Sequence, residues 1–182
     1  MAASRKKIGI LGGAFDPPHL GHLDVCTWLL LKQELDEVWV VPCFIHPFNK
    51  SMAPFEDRYK MCLFTFNTLG LRNVIVSDVE RQLGGISYTV RTLEHFTAKY
   101  PEHEFHFIVG ADNLAEQKKW KDIEKIIKLA PLIQVPRGQG SPIPDISSSE
   151  IRKLISSGDE RYLEYISKDV AVYMLTNSLY RA

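Results

Sequence analysis

Short, apolar, β-branched runs alternate along the chain with longer stretches in which apolar residues recur at helical spacing. The runs predict strands at Lys7–Leu11, Glu37–Val41, Asn73–Ser77, Glu104–Val109 and Pro131–Val135. Helices are expected between them at His19–Gln33, Phe55–Thr68, Thr89–Tyr100 and Leu114–Leu129, the last broken near Trp120–Asp122. After the fifth strand the rhythm changes, and Ser148–Ser156 and Asp169–Thr176 read as terminal helices. Regular alternation of strand and helix is the mark of βαβ units, so the expected fold class is α/β: a doubly wound parallel sheet of about five strands with C-terminal helices. Such sheets bind ligands beyond the carboxyl ends of their strands, where strand order reverses and two loops part. That rule singles out Gly12–His22, Pro42–Lys50, Asp78–Thr89, Gly110–Asn113 and Pro136–Ser149.

Composition narrows the picture. A chain of 182 residues suits a single domain spanning 1–182, and 45% hydrophobic with 24% charged residues is ordinary for a globular protein with a packed core. Lys and Arg number 22, as do Asp and Glu, so no global basic field exists to hold nucleic acid or an anionic membrane. Any anion site must be local. Cys26, Cys43 and Cys62 are far apart with no C-x-x-C, which favours reduced, buried thiols over a disulfide framework or a zinc site. Met1–Lys7 is a basic stub without the apolar core of a signal peptide, and the longest apolar stretches fall short of the ~20 residues that a membrane span needs. A cytoplasmic location is expected.

Chemistry concentrates in the first loop, Gly12-Gly13-Ala14-Phe15-Asp16-Pro17-Pro18-His19-Leu20-Gly21-His22. Adjacent glycines after a buried strand let the backbone turn and approach a phosphate closely. Asp16 and Pro17 read as a helix N-cap and first helical position, which would set His19 and His22 on one face near the positive helix end. Gly21 costs the helix ~1 kcal/mol relative to Ala, a cost best explained by a bulky group lying against that turn. Far downstream, Ile146-Ser147-Ser148-Ser149-Glu150-Ile151-Arg152 contains an S-x-x-E capping box, so part of this motif serves the helix start alone. Arg152 and Lys153 nevertheless oppose the helix dipole unless an anion sits there too.

The His19-x-Gly21-His22 string resembles the H-x-G-H signature of the nucleotidylyltransferase superfamily, a Rossmann-like fold shared with class I aminoacyl-tRNA synthetases, and Ile146–Arg152 resembles its second signature. Gly85–Leu93, containing Ser87-Tyr88-Thr89, and Val109–Leu114 followed by Trp120 are similar to segments of the nicotinate mononucleotide adenylyltransferase family. The resemblance implies AMP transfer from ATP to the 5′-phosphate of nicotinate mononucleotide, without a covalent intermediate. It also implies roles: His19, His22 and Arg152 as catalytic, and Gly12, Gly13, Ala14, Gly110, Asp112, Ser148 and Ser149 with them around ATP. Tyr88, Thr89, Trp120, His46 and Lys50 would surround the acceptor. Mg²⁺ would arrive with ATP and no protein ligand for it is named. Departures fall at Ala14, which lacks the hydroxyl of many relatives, at the Phe44–Lys50 loop, and in a short stretch between Pro136 and Ile146. Another phosphomonoester acceptor (nicotinamide mononucleotide or phosphopantetheine), a non-catalytic nucleotide-binding module, and a homo-oligomeric state remain open. The absence of G-x-G-x-x-G and of G-x-x-x-x-G-K-[ST] disfavours a dinucleotide oxidoreductase and a P-loop kinase.

Overall fold

The computed structural model describes residues 5–67, 70, 72–110, 114, 120–136, 138 and 140–181. Its centre is a parallel sheet of five strands, β1 (Lys7–Gly13), β2 (Glu37–Pro42), β3 (Val74–Val76), β4 (Glu104–Gly110) and β5 (Leu132–Val135), in the order β3-β2-β1-β4-β5. The chain builds outward from β1 to β3 and then returns to the other side of β1, so the order reverses between β1 and β4. Pairing of these two strands runs from Lys7↔Glu104 to Ile10↔Phe107, and both strands continue to Gly13 and Gly110 at the carboxyl edge. The crevice expected of such a reversal therefore opens between these two ends.

The three central strands β1, β2 and β4 are buried on both faces, which is why they read as apolar runs and not as alternations. Leu11, Val38, Val40 and Ile108 face α1 (Leu20–Lys32) and α2 (Phe55–Asn67) in one core layer with Cys26, Leu29, Cys62 and Phe66. Ile8, Ile10, Trp39, Val41, Phe105, Phe107 and Val109 form the opposite layer with Val79 of α3 (Val79–Leu83), Leu93 and Phe96 of α4 (Thr89–Lys99) and Ile126 of α5 (Ile123–Leu129). The period-2 split of neighbours such as Val38 and Trp39 between the layers follows from the pleat. A third cluster joins α2 to the C-terminal α6 (Ser148–Ser156) and α7 (Lys168–Thr176) through Met61, Ile146, Ile151, Ile166, Val170 and Met174. All three cysteines are free and buried. Among the described residues no helix is long and apolar enough to cross a membrane.

The expected elements are present among the described residues, with informative differences; residues 115–119 of the expected Leu114–Leu129 helix lie outside them. β1 runs on through Gly12 and Gly13, so both glycines end the strand instead of starting the loop. α1 begins at Leu20 with His19 as its N-cap, not at Asp16–Pro17. Asp16 is buried instead, where its Oδ1 accepts the Ala53 N–H at 3.0 Å and the Tyr180 hydroxyl at 2.8 Å. The interruption near Trp120–Asp122 is real: Asp122 takes φ 55 just before α5. Two short elements were not expected, α3 and a 3₁₀ turn at Glu160–Glu164. Both are single turns held by local side-chain bonds, such as Gln82 Nε2 to Asp78 Oδ1 at 2.6 Å and Arg161 N–H to Asp159 Oδ1 at 3.0 Å.

Candidate active site

The β1–α1 connection supplies the first wall. Gly12 is exposed and Gly13 and Ala14 half-buried at the sheet edge, while Phe15 folds inward and sets its ring 4.9 Å from that of His22. The His19 and His22 rings lie against each other, centroids 3.7 Å apart and planes tilted by 33°, at the start of α1. The His19 N–H donates to His22 Nδ1 at 3.1 Å. A neutral His22 ring therefore carries its proton on Nε2 and is a donor there. His19 keeps 2% of its surface exposed, whereas His22 is half-buried. The first turn of α1 contains no acidic residue, so its positive end is uncompensated by the helix itself. Gly21 has a different explanation from the one expected. A Cβ there would lie 3.1 Å from His19 Nδ1 and 3.2 Å from Ile146 Cγ2, so the bulky groups against this turn are the protein's own.

The start of α6 docks onto that loop. Ser147 and Glu150 form the capping box: Ser147 Oγ accepts from the Glu150 N–H at 3.2 Å and the Ser147 N–H donates to Glu150 Oε2 at 2.8 Å. Ser148 Oγ donates to the Pro17 carbonyl at 2.8 Å, so its hydroxyl proton joins helix to loop. Arg152 donates to the Asp16 carbonyl through Nη1 and to Ser149 Oγ through Nη2 at 3.2 Å. Residues 131 and 136 positions apart in the chain are thereby brought into one hydrogen-bonded cluster. Gly110 closes the neighbouring edge at the end of β4. Asp112, expected at the ribose, lies outside the described residues, as do Ala111 and Asn113.

Beside this cluster, a cavity of about 370 Å³ is lined by His46, Pro47, Phe48, Ser87, Tyr88, Thr89, Trp120, Lys121 and Ile126. It gathers Tyr88, Thr89, Trp120 and His46 as expected. Lys50 lies apart, in an adjoining cavity that shares only His46 with the first and is lined around it by Asn49, Met52, Ala53 and Arg58. α4 opens at Thr89 with no acidic residue in its first turn and no side-chain cap from Tyr88. The His46 imidazole accepts the Phe48 N–H on Nδ1 at 3.2 Å, and burial, with Lys50 and Arg58 nearby, lowers its pKa.

Three contributors were not singled out from sequence. Lys121 lines the cavity and sets Nζ 4.5 Å from the Tyr88 ring centroid. Arg58, 1% exposed, donates to the carbonyls of Ala53, Ala14 and Cys43 at 2.8, 2.7 and 2.7 Å, tying the loops after β1 and β2 together. Glu80 of α3 accepts the Phe44 N–H at 3.2 Å and the Thr92 hydroxyl at 3.0 Å, and burial raises its pKa. Ser87 Oγ accepts the Phe44 N–H at 2.9 Å as well, so the wall bearing His46 is held from below. A basic residue after a Trp was visible in the sequence, but nothing in its local pattern marks Arg58 as buried. Among the described residues no group of three or more His, Cys, Asp or Glu side chains could hold a metal ion.

Glycine-edged strands at a sheet reversal, the α1 start with no acidic residue in its first turn, and Arg152 drawn onto the neighbouring loop form a crevice suited to an anionic ligand. The chain belongs to the cytidylyltransferase-like family, whose model matches residues 10–154. Its relatives are more particular. A probable nicotinate-nucleotide adenylyltransferase of Anaeromyxobacter sp. (strain K) is 42% identical over 97% of this chain and 97% of its own, and one of Bacillus cytotoxicus is 37% identical over 93% and 91%. A solved protein of Vibrio parahaemolyticus, assigned provisionally to nicotinate-nucleotide adenylyltransferase, superposes with TM-score 0.77 at 28% identity, covering 96% and 95% of the two chains. The Plasmodium falciparum nicotinic acid mononucleotide adenylyltransferase complexed with NaAD gives TM-score 0.78 over 97% and 98% at 24% identity, a likeness of fold.

Proposed function

We propose that this protein transfers the adenylyl group of ATP to nicotinate mononucleotide, forming nicotinate adenine dinucleotide and pyrophosphate. The observation that supports this most is the docking of Ser148 and Arg152 onto the Asp16–Pro17 carbonyls. It sets the starts of α1 and α6 around one point beyond β1, next to the cavity of Tyr88, Thr89 and Trp120. Relatives named for this reaction cover nearly the whole chain.

An oxygen of the acceptor's 5′-phosphate attacks the α-phosphorus of ATP as the bond from that phosphorus to the β-bridging oxygen breaks, and pyrophosphate leaves with the bond's electron pair. The attacking oxygen is already ionised, so no general base is required and catalysis is positioning plus charge stabilisation. His22 donates from Nε2 to a phosphate oxygen, and His19 holds that ring through its backbone N–H and its tilted neighbouring imidazole. Gly12, Gly13 and Ala14 let the triphosphate approach the edge of β1, with Gly110 opposite and Asp112 at the ribose. Arg152, with Ser149 and the N–H groups leading α6, holds the departing pyrophosphate. A divalent cation, Mg²⁺ in our reading, arrives as part of the ATP complex. Trp120 stacks on the pyridine ring and the α4 start receives its carboxylate; His46 borders that pocket, and Lys50 contributes charge from further off.

Incubating the purified protein with Mg-ATP and each mononucleotide separately, then weighing the products, tests the reading. A dinucleotide with nicotinate mononucleotide, lost by ~10²-fold or more in turnover on His22→Ala, is the expected result, the scale for removing one preorganised donor. ATP binding with no dinucleotide from any acceptor would favour a non-catalytic module.

A further inference from the structure

The C-terminal segment reaches back to the first loop. Leu179 and Tyr180 pack against the cluster of Met61, Ile146, Ile151 and Met174, and Tyr180 adopts φ 63, a conformation that a non-glycine residue keeps only where its surroundings hold it. Its hydroxyl donates to Asp16 Oδ1 at 2.8 Å. That oxygen also accepts the Ala53 N–H, while Oδ2 stands 3.6 Å from Arg152 Nη1. Asp16 is 1% exposed, so protein groups and not bulk water decide how its carboxylate is turned.

We propose that Tyr180 is a positioning residue for the nucleotide site: by engaging Asp16 Oδ1 it keeps only Oδ2 facing Arg152, which leaves the guanidinium able to close on a triphosphate. The inference rests on the placement of Arg152 at the departing phosphates given above. A planar guanidinium and a carboxylate favour a two-bond grip, and that grip would withdraw Arg152 from its ligand. The hydroxyl, adding to the Ala53 N–H, prevents it by filling the second oxygen. Burial, and then the neighbouring Asp16 charge, push the phenol's pKa far up, so it stays a donor throughout the working pH range. Tyr173 supplies an internal control. It makes a bond of the same kind and length, hydroxyl to Asp57 Oδ1 at 2.8 Å, on α7 and α2.

The test is the dissociation constant for Mg-ATP by titration calorimetry, with thermal midpoints, for the wild type, Tyr180→Phe, Tyr173→Phe, Arg152→Ala and Arg152→Ala/Tyr180→Phe. Phenylalanine keeps the ring and its packing. Tyr180→Phe should weaken Mg-ATP roughly tenfold, the lower end for losing a hydrogen bond to a charged group. Tyr173→Phe should leave the constant unchanged even where the midpoint falls, and Tyr180→Phe should add nothing once Arg152 is gone. Unchanged Mg-ATP affinity in Tyr180→Phe, or an undiminished loss in the Arg152→Ala background, overturns the proposal. Failure of the underlying reaction reads differently: wild-type protein that binds Mg-ATP and makes no dinucleotide.

Discussion

Two glycines flanking the first loop, Gly12 at the end of β1 and Gly21 in the first turn of α1, serve opposite needs. At Gly12 an added Cβ would meet only Phe107 Cε2 at 3.6 Å, so space above the strand end is open to a ligand. At Gly21 it would press on the His19 ring and Ile146, within 3.2 Å of each. Gly21→Ala should therefore displace His19 by a few tenths of an ångström and lower kcat, with a thermal midpoint that drops alongside. Gly12→Ala should raise the KM for ATP with the midpoint nearly unchanged. Identical behaviour of the two variants in paired kinetics and melting would refute this division. His46 gives a second check at this scale. Burial first, then Lys50 and Arg58, hold its pKa below the ordinary 6.5, so the neutral ring that accepts the Phe48 N–H is the folded form. A His pKa depressed on folding contributes stability that is present above pH 6.5 and lost as pH falls through the folded value. An NMR titration of the His46 ring should show a midpoint below 6.5; one above it would mean that the imidazole gains a carboxylate partner in solution.

Elements differ in how plainly the chain announces them. β1, β2 and β4 were legible because each is buried on both faces, which leaves a continuous apolar run bounded by turn residues, while the partly exposed edge strands β3 and β5 were legible from their short β-branched runs. The capping box of α6 was legible too, since its two side chains lie three apart. The α1 start was not: Asp16 and Pro17 have the right chemistry for a cap, but the Asp16 carboxylate answers to Tyr180 and Ala53, partners remote in sequence. Arg58 was hidden for the same reason, its three acceptors being backbone carbonyls that no pattern reveals. α3 is a single turn, below the length at which periodicity speaks, yet its Glu80 supports the wall that bears His46. Burial raises the Glu80 pKa against the opposing bonds from Ser87 and Thr92. A carboxyl whose pKa rises on folding contributes stability present below its ordinary value of 4.5, which is lost as pH climbs through the folded value. Glu80→Gln keeps an acceptor for the Phe44 N–H and lets Thr92 turn its hydroxyl to accept from the amide. Its melting midpoint should fall less than that of the wild type between pH 4.5 and neutrality. Parallel profiles for the two proteins would show that Glu80 does not titrate in that window.

Across the whole molecule the charges cancel, with 22 basic and 22 acidic side chains, so affinity for anionic substrates must come from how positive groups are gathered. The doubly wound topology gathers them: α1 begins beyond β1 and α4 opens onto the cavity, each without an acidic residue in its first turn. Arg152 comes in from the C-terminal side. The cavity of Tyr88, Thr89 and Trp120 extends this pattern, since its described lining contains Lys121 and no acidic side chain. A pyridine carboxylate seated there meets oriented N–H groups and a nearby ammonium, whereas a carboxamide brings no charge to either and sets its own NH₂ against donors. Losing one charge-assisted bond and leaving its donor unpaired costs ~1.5–3 kcal/mol, roughly ten- to a hundred-fold in specificity. Nicotinate mononucleotide should therefore exceed nicotinamide mononucleotide in kcat/KM by that factor, and Lys121→Met should narrow the gap through the nicotinate substrate alone. Parity between the two substrates in the unaltered protein would remove carboxylate recognition by this cavity while leaving adenylyl transfer intact; a Lys121→Met variant with the full preference would assign the discrimination to the start of α4.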